Sequence, residues 1–427
     1  MGFLNGVKLI AGYDLGNKVC QISYAFSGSG DVETISQVAG EQKYHIPTVL
    51  CKRHGVNQWF YGREALRAAD RQEGILVENL LDMALDGEPV VVEGESYDPA
   101  ALLALFFKRS LGQLSQTGEK LTALMITCPV IDKRILEVLG RVVEGSLVKA
   151  DKILFQGHAE SYYSYMLRQP RELWTHPSVL FHYRQDSIKV YRMEANKRTV
   201  PIVVYMEEKE YAFPEAVDEA LLEIAQDACG KGLIGSIFLI GDGFQGDWMK
   251  ESLRFLCRGR RVFQGNNLFS KGACCGMQEK LCPGELGKAH VFLGNEKLKS
   301  NIGMQVFRGG EESYYALLDA GTSWYEAERT LEVYLQDGNE LVLTVLPLIR
   351  SGTAKSGKAS GGDGVTVRVV LEGLSGGITR LRLHFHMKTE HCLAVEVEDL
   401  GFGEFRASSG RTWKDEIEIE QETDKWG

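Results

Sequence analysis

Residues 7–26 read VKLIAGYDLGNKVCQISYAF. The apolar run 7–13 stops at Asp14-Leu15-Gly16-Asn17, and Asp, Gly and Asn are ordinary residues of a tight turn. Val19–Phe26 then alternates, setting Val19, Gln21 and Ser23 against Cys20, Ile22 and Tyr24, the pattern of a returning strand. Outward from this hairpin, 46–51 and 59–61 extend a β-meander, with Pro47 marking an edge or a strand start. The Ala-rich stretch 63–71 suits a helix. At Asp98-Pro99 another begins: Asp98 caps free N–H groups, and Pro99 fits a first turn that needs none. It is expected to run to about Leu114, with Leu102, Leu105 and Phe106 on one side.

Residues 121–127 form a mostly apolar run ending in Cys128-Pro129, the composition of a strand buried on both faces. A helix over 131–145, a strand over 152–155 and an aromatic helix over 158–168 follow, and this alternation argues an α/β domain. The style repeats in a hairpin over 178–193. Phe213-Pro214 then opens an amphipathic helix carrying Val217, Leu221, Leu222, Ile224 and Ala225. A buried strand over 236–240 turns at Gly241-Asp242-Gly243 into a helix with Trp248, Met249, Leu253 and Leu256. The small-residue helix Lys271-Gly272-Ala273-Cys274-Cys275-Gly276 closes this part near residue 280. From about 301 to 419 the pattern is alternating strands, clearest at 330–335, 340–346, 364–371, 379–387 and 392–397. The Gly/Ser/Lys-rich segment 351–364 reads as a loop.

A chain of 427 residues exceeds one ordinary core. Its 44% apolar and 25% charged residues are those of a soluble globular protein. The longest apolar run, near 100–107, is too short to span a bilayer. The N-terminus lacks the basic start and long apolar stretch of a signal peptide. Gly2 fails as a myristoylation site because Gly6 stands where Ser or Thr is needed. A cytoplasmic location is expected. The net charge of −10 repels nucleic acid and anionic membrane, so neither is expected as a partner. The basic run 258–261 reads as a solvated helix end. The nine cysteines include no CxxC pair and read as reduced, mostly buried thiols.

In order and spacing these pieces resemble the DnaK-type heat-shock chaperones over nearly the whole chain. Gly12-Tyr13-Asp14-Leu15-Gly16 resembles that family's first phosphate loop, Ile46-Pro47-Thr48 its TPS strand, and 124–129 (LMITCP) its ITVPA strand. Residues 156–165 (QGHAESYYSY) stand where the family has NEPTAAALAY. Residues 240–249 (IGDGFQGDWM) are similar to the adenosine loop VGGSTRIP, and 271–276 take the place of AYGAA. Further on, 301–310 (NIGMQVFRGG) resembles SLGIETMGG at the start of the substrate domain, and 383–399 resembles VTFDIDADGILHVSAKD. The resemblance implies an α/β fold: an actin-like ATPase-type duplicated body of mixed sheets flanked by helices, then a β-sandwich substrate-binding-like domain. It places a first lobe at 1–175, a truncated second lobe at 176–285, a linker at 286–300 and the β-domain at 301–427.

On that fold, nucleotide hydrolysis needs two glycine turns whose N–H groups cradle phosphates while carboxylates order Mg²⁺ and water. By the resemblance, Asp14 orders a hydrated metal, Gly16 admits backbone to phosphate with Asn17 and Lys18 alongside, and Gly241, Asp242 and Gly243 pass beneath adenosine. ATP or ADP with Mg²⁺ therefore remains open as a cofactor. The other half of the machinery has no counterpart. Where the family has DLGGGTFD, this chain reads Phe181-His182-Tyr183-Arg184-Gln185-Asp186-Ser187, without glycine. A positive φ there costs about 1 kcal/mol or more per residue, and the bulky side chains are expected to occupy the phosphate volume. The expected acidic residue is replaced by His182. The family's catalytic Lys falls near Asn79, and the Glu of its NEPT motif near Gly157. Too few residues lie between Met193 and Phe213 for the outer lobe that walls the adenine pocket.

The resemblance thus implies no catalytic residue: a pseudo-ATPase body carrying a β-domain for a peptide or protein partner, with an ATP-binding slow ATPase and a structural adaptor as alternatives. In the family an extended peptide lies in a cleft, here carried over to Met304, Val306, Phe307 and Val342. The family's helical lid has no counterpart before Gly427, so weak, quickly reversible binding is expected. Outside the resemblance, His384 and His386 share a strand face at metal-compatible spacing, with His391 and Cys392 further on; they read as surface histidines. Trp174, His176, Tyr162, Tyr163 and Tyr165 read as core or interface aromatics rather than a ligand pocket.

Overall fold

Strand β1 (Leu9–Leu15) is buried along almost its whole length because helices cover both its faces. It pairs antiparallel with β2 (Val19–Phe26), which also pairs with the short β3 (Glu33–Thr34). On its other side it runs parallel to β4 (Leu121–Cys128), itself parallel to β5 (Lys152–Gly157). A second sheet repeats this plan. Strand β6 (Ser178–Tyr183) pairs antiparallel with β7 (Ser187–Asn196), and β7 with β8 (Ile202–Ala212). Strand β6 also runs parallel to β9 (Ser236–Ile240), and β9 to β10 (Arg261–Gly265). The orders β5-β4-β1-β2-β3 and β10-β9-β6-β7-β8 therefore match strand for strand and in direction. This computed structural model describes residues 8–348, 364–374 and 376–419. The myristoylation reading at Gly2 and residues 351–363 of the expected loop lie outside them.

Helix α1 (Pro99–Leu111) starts as its sequence dictates: Asp98 accepts from Ala100 N at 3.2 Å, and Pro99 sits in the first turn. It tightens into a 3-10 turn at Gly112–Thr117, which shortens it relative to the expected end at Leu114. Helix α2 (Lys133–Ser146) is capped by Asp132, which accepts from Ile135 N at 2.8 Å. Helix α3 (His158–Leu167) follows β5 directly. In the second half, α4 (Asp218–Cys229) lays Leu221, Ile224 and Ala225 against Val179, Phe181, Ile188 and Val190 of β6 and β7. Each such fully buried aliphatic or aromatic side chain stabilises by about 1.5–3 kcal/mol.

Helix α5 (Leu268–Leu281) packs on β1 and α3 at backbone distance. A Cβ placed on Gly12 of β1 meets Ser270 O at 2.2 Å and Cys274 N at 2.3 Å. One placed on Gly272 meets Ser161 O of α3 at 1.9 Å. The small residues of α5 are thus required by close approach. They seat Ala273, Cys274 and Met277 on Ile10, Ala123 and Met125. The opposite face of β1 is covered by α1, where Tyr13 meets Phe107 edge to face at 4.8 Å and its hydroxyl bonds Ser110 at 2.7 Å.

The chain divides into compact units Met1–Val291 and Phe292–Gly427. The segments expected as first and second lobes, 1–175 and 176–285, lie together in the first unit. In the second unit, β11 (Ser300–Arg308), β12 (Glu311–Leu318), β14 (Glu340–Pro347) and β15 (Val365–Val370) form an antiparallel sheet ordered β12-β11-β14-β15. Another contains β13 (Glu328–Leu335), β16 (Thr379–Met387), β17 (Cys392–Gly401) and β18 (Thr412–Glu418) in the order β13-β16-β17-β18. In β16 and β17, Leu381, Leu383, Phe385, Leu393, Val395 and Val397 are buried. The other face carries a charge ladder: Arg382 bridges Glu332 at 3.2 Å and Glu398 at 2.8 Å, and Lys414 meets Glu396 at 2.8 Å. Among the described residues no helix is long and apolar enough to cross a membrane.

Buried Asp399 closes this second sheet. It accepts from Thr379 Oγ1 at 2.7 Å, Gly401 N at 2.9 Å, and Ser409 N and Oγ at 3.0 and 2.6 Å. Burial works against its ionisation, yet the bonds from Ser409, Thr379 and Gly401 prevail and hold the carboxyl well below the usual range.

Two stability measurements follow from this packing. Gly12→Ala is expected to destabilise the protein by about 3 kcal/mol in urea unfolding, since both clashing atoms are backbone; a loss within error contradicts the close approach. Asp399→Ala is expected to cost about 2 kcal/mol through stranded donors. In the parent this stabilisation is present above the ordinary carboxylate pKa and fades as pH falls toward the lowered one. An Asp399→Ala variant with the parent's acid-unfolding midpoint would refute it.

Candidate functional site

Asp14 borders a polar–aromatic cluster in the first unit. Asp14, at the end of β1, pairs its Oδ1 with His158 Nε2 at 2.8 Å, and the His158 side chain is almost fully buried. The His158 ring stacks on Phe269 of α5 at 3.7 Å between centroids and 12° between planes. Phe269 in turn meets His182 edge-on at 5.2 Å and Tyr191 at 6.0 Å. Tyr183, next along β6, lies on the glycine turn: a Cβ on Gly243 meets its ring at 2.2 Å, and one on Gly241 meets its carbonyl oxygen at 2.4 Å. Gly241 adopts φ +109°, a conformation that favours glycine.

Each turn is also tied down from its outer side. Gly16 N donates to Val19 O at 3.0 Å, and Thr48 Oγ1 donates to Gly16 O at 2.9 Å. Asn17 Nδ2 donates to Asp82 at 2.6 Å, and Lys18 Nζ to Asn79 Oδ1 at 3.0 Å. Asn266 accepts from Gly241 N at 3.1 Å and donates to Asp242 Oδ1 at 2.8 Å; the other Asp242 oxygen meets His45 at 3.1 Å. Asn17, Lys18 and Asp242 are therefore engaged by protein groups.

Residues 182–186 divide. His182 turns into the cluster, Tyr183 packs on the opposite face of β6 against Phe213, Phe244 and Trp248, Arg184 reaches Glu210 at 3.3 Å, and Gln185 and Asp186 are exposed. None of 184–186 takes a positive φ; the turn closes through Arg184 N donating to Ser187 O at 2.8 Å. The expectation that the side chains of 182–186 together fill one space is thus corrected: the pleat sends Tyr183 to the other face, and Arg184 pairs with Glu210. Beside His182 the cluster is completed by His158 and Phe269. His158 stands beside Gly157 within the quoted QGHAESYYSY, and a histidine next to the position expected to be acidic is the signal that could have found it. Phe269 precedes the small-residue run of α5 and carries no comparable signal.

Three polar atoms around Phe269, namely His158 Nδ1, His182 Nδ1 and Tyr191 OH, are buried without a hydrogen-bond partner. Burial, then the His158, Arg184 and Lys189 charges, push the His182 pKa well below the usual histidine range. Burial also raises Tyr191, which stays a neutral phenol.

In the second unit the four expected groove residues separate. Met304 pairs with Leu343 across β11 and β14, so by the pleat Met304 and Val306 face one side, and Phe307 and Val342 the other. Met304 is buried at 5% exposure, whereas Phe307 is 69% exposed. A single groove face thus takes Phe307 and Val342 but not Met304. Tyr314, unremarkable in the sequence, joins that exposed face, its ring 2.4 Å from where a Cβ on Gly303 would sit.

His384 and His386 share a face with rings 5.0 Å apart, and His384 Nδ1 meets Thr330 Oγ1 at 2.9 Å. Among the described residues no group of three or more His, Cys, Asp or Glu is placed to hold a metal ion. Tyr162 is buried with its hydroxyl on Ser178 at 2.8 Å, Tyr165 abuts Phe238 at 6.0 Å, and Trp174 is 6% exposed.

Because the folded-state pKa of His182 is depressed, the unfolded chain binds the extra proton first, and stability falls as pH drops below about 6.5. Replacing His182→Phe is expected to flatten the fall in melting temperature between about pH 7.5 and 5.5. Thermal scans in which parent and variant lose stability in parallel would show that His182 is not buried neutral.

Residues 31–295, more than half of the chain, match the C-terminal part of a family of unknown function, DUF5716. Residues 297–419 match a domain of unknown function, DUF8552. No curated protein matches the chain. On the first of these matches, the chain belongs to the DUF5716 family.

Proposed function

We propose that this protein is a catalytically silent relative of the DnaK-type chaperones, combining a non-hydrolysing actin-like ATPase body with a β-sandwich-like domain that binds an extended peptide or a protein partner in the cytoplasm. The observation that carries the reading is the packing of His158, Phe269 and His182 beside Asp14, the residue that the resemblance assigns to a hydrated metal. Phosphoryl transfer is catalysed mainly by positioning and charge stabilisation, and stacked aromatic rings supply neither. The repeated strand order of the two sheets supports the duplicated actin-like body. The hairpin β7–β8 takes up residues 187–212, where the chaperones carry their outer lobe. On the second unit, exposed Phe307 with Tyr314 and Val342 offers an apolar face beside a strand, the arrangement by which extended peptides are gripped.

The unpartnered His158 Nδ1, His182 Nδ1 and Tyr191 OH favour a second reading, in which a nucleotide still binds. Calorimetric titration with Mg-ATP separates the two. No saturable heat at micromolar concentration is expected, and saturable binding there overturns the silent body in favour of an ATP-binding one. For the partner site, anisotropy of a fluorescein-labelled leucine-rich heptapeptide is expected to show about tenfold weaker binding to Phe307→Ser than to the parent. Equal affinity for both moves the reading to a structural adaptor.

A further inference from the structure

At the end of β1 opposite Asp14, about 20 Å away along the strand, the first unit contains a cavity of about 480 Å³. Its size falls within the range of small-molecule sites. It opens at the N-terminal ends of β1, β4 and β5, whereas open α/β sheets usually bind ligands at the carboxyl ends; it is therefore separate from the cluster at Asp14.

The cavity wall has three chemically distinct parts. Ile10 and Ala123 make an aliphatic floor continuous with the core beneath α5, and exposed Leu281 stands beside it. Around it stand Lys8, Lys152 and Arg168 against one carboxylate, Asp151. This is a local excess of positive charge in a protein whose net charge is −10. Neither Lys8 nor Lys152 has a carboxylate within ion-pair distance among the described residues, and Arg168 meets only Glu279, at 3.8 Å. The third part is Gln278 of α5. It is only 9% exposed; its Nε2 donates to Ser29 O at 3.3 Å, and its Oε1 has no partner. With its oxygen buried, Gln278 walls the cavity on the α5 side.

We propose that this cavity binds a small organic anion with an apolar body. The acid group sits between Lys8, Lys152 and Arg168, and the body lies on Ile10, Ala123 and Leu281. The site does not depend on the chaperone reading, and Mg-ATP binding or its absence at Asp14 leaves it untouched.

The probe is 8-anilinonaphthalene-1-sulfonate, which joins an anionic group to fused rings in one molecule. Fluorescence titration of the full chain is expected to show one saturable site. Lys152→Glu is expected to raise the dissociation constant at least about tenfold. Gly30→Trp should abolish binding, since a Cβ there meets open space and its backbone needs no positive φ. Placement is read from thiols: Cys257 and Cys282 are exposed, and only Cys282 lines the cavity. Bound probe should slow iodoacetamide labelling of Cys282 and leave Cys257 unchanged, a measurement on the parent chain that needs no variant to fold. Absence of saturable binding, an unchanged constant in Lys152→Glu, or equal labelling of Cys282 with and without probe overturns the proposal.

Discussion

The first unit depends on how closely helix α5 can approach β1 and α3. Gly12 and Gly272 mark the two contacts, and at each a single methyl group would overlap backbone atoms. Backbone cannot move aside as a long side chain can, so the constraint is nearly absolute at these points. Its consequence reaches both ends of the unit. At one end it delivers Phe269 onto His158, and so determines what lies beside Asp14. At the other it brings Gln278 and Leu281 over the starts of β1 and β4, forming one wall of the cavity there.

The chemistry beside Asp14 follows from that seating. An aspartate at a glycine turn is suited to ordering a metal ion through water, provided its oxygens face a wet cleft. Here one oxygen is held by a buried imidazole, and the next groups inward are aromatic rings. The same residue types that suit a phosphate loop therefore serve as an internal fastening between β1 and α3. Asn17, Lys18 and Asp242 are fastened likewise, each by a partner distant in sequence.

What could be read from the sequence was what depends on neighbours along the chain. The hairpin at 14–17, the Asp98 cap and the period-two strands of the second unit are local patterns, and they appear in the structure at or near the expected residues. The strand order of the two sheets was not legible as a repeat, because topology can recur while side chains diverge. The pairing of Asp14 with His158 spans 144 residues and shows only once α3 is in place. Met304 and Phe307 looked alike as apolar residues of one strand, yet the pleat sends them to opposite faces. Tyr314 was illegible for a related reason: its importance comes from the bare Gly303 across the strand pair.

The ladder on β13, β16, β17 and β18 has a bearing on how the second unit meets other molecules. Glu332, Arg382, Glu398, Glu396 and Lys414 alternate in sign across neighbouring strands, so their fields largely cancel beyond a few ångströms. Such a surface neither attracts nor repels a charged body approaching from solution, whatever the acidity of the whole chain. Long-range steering toward this unit must then come from elsewhere on it, and any encounter on the ladder itself should be nearly indifferent to added salt.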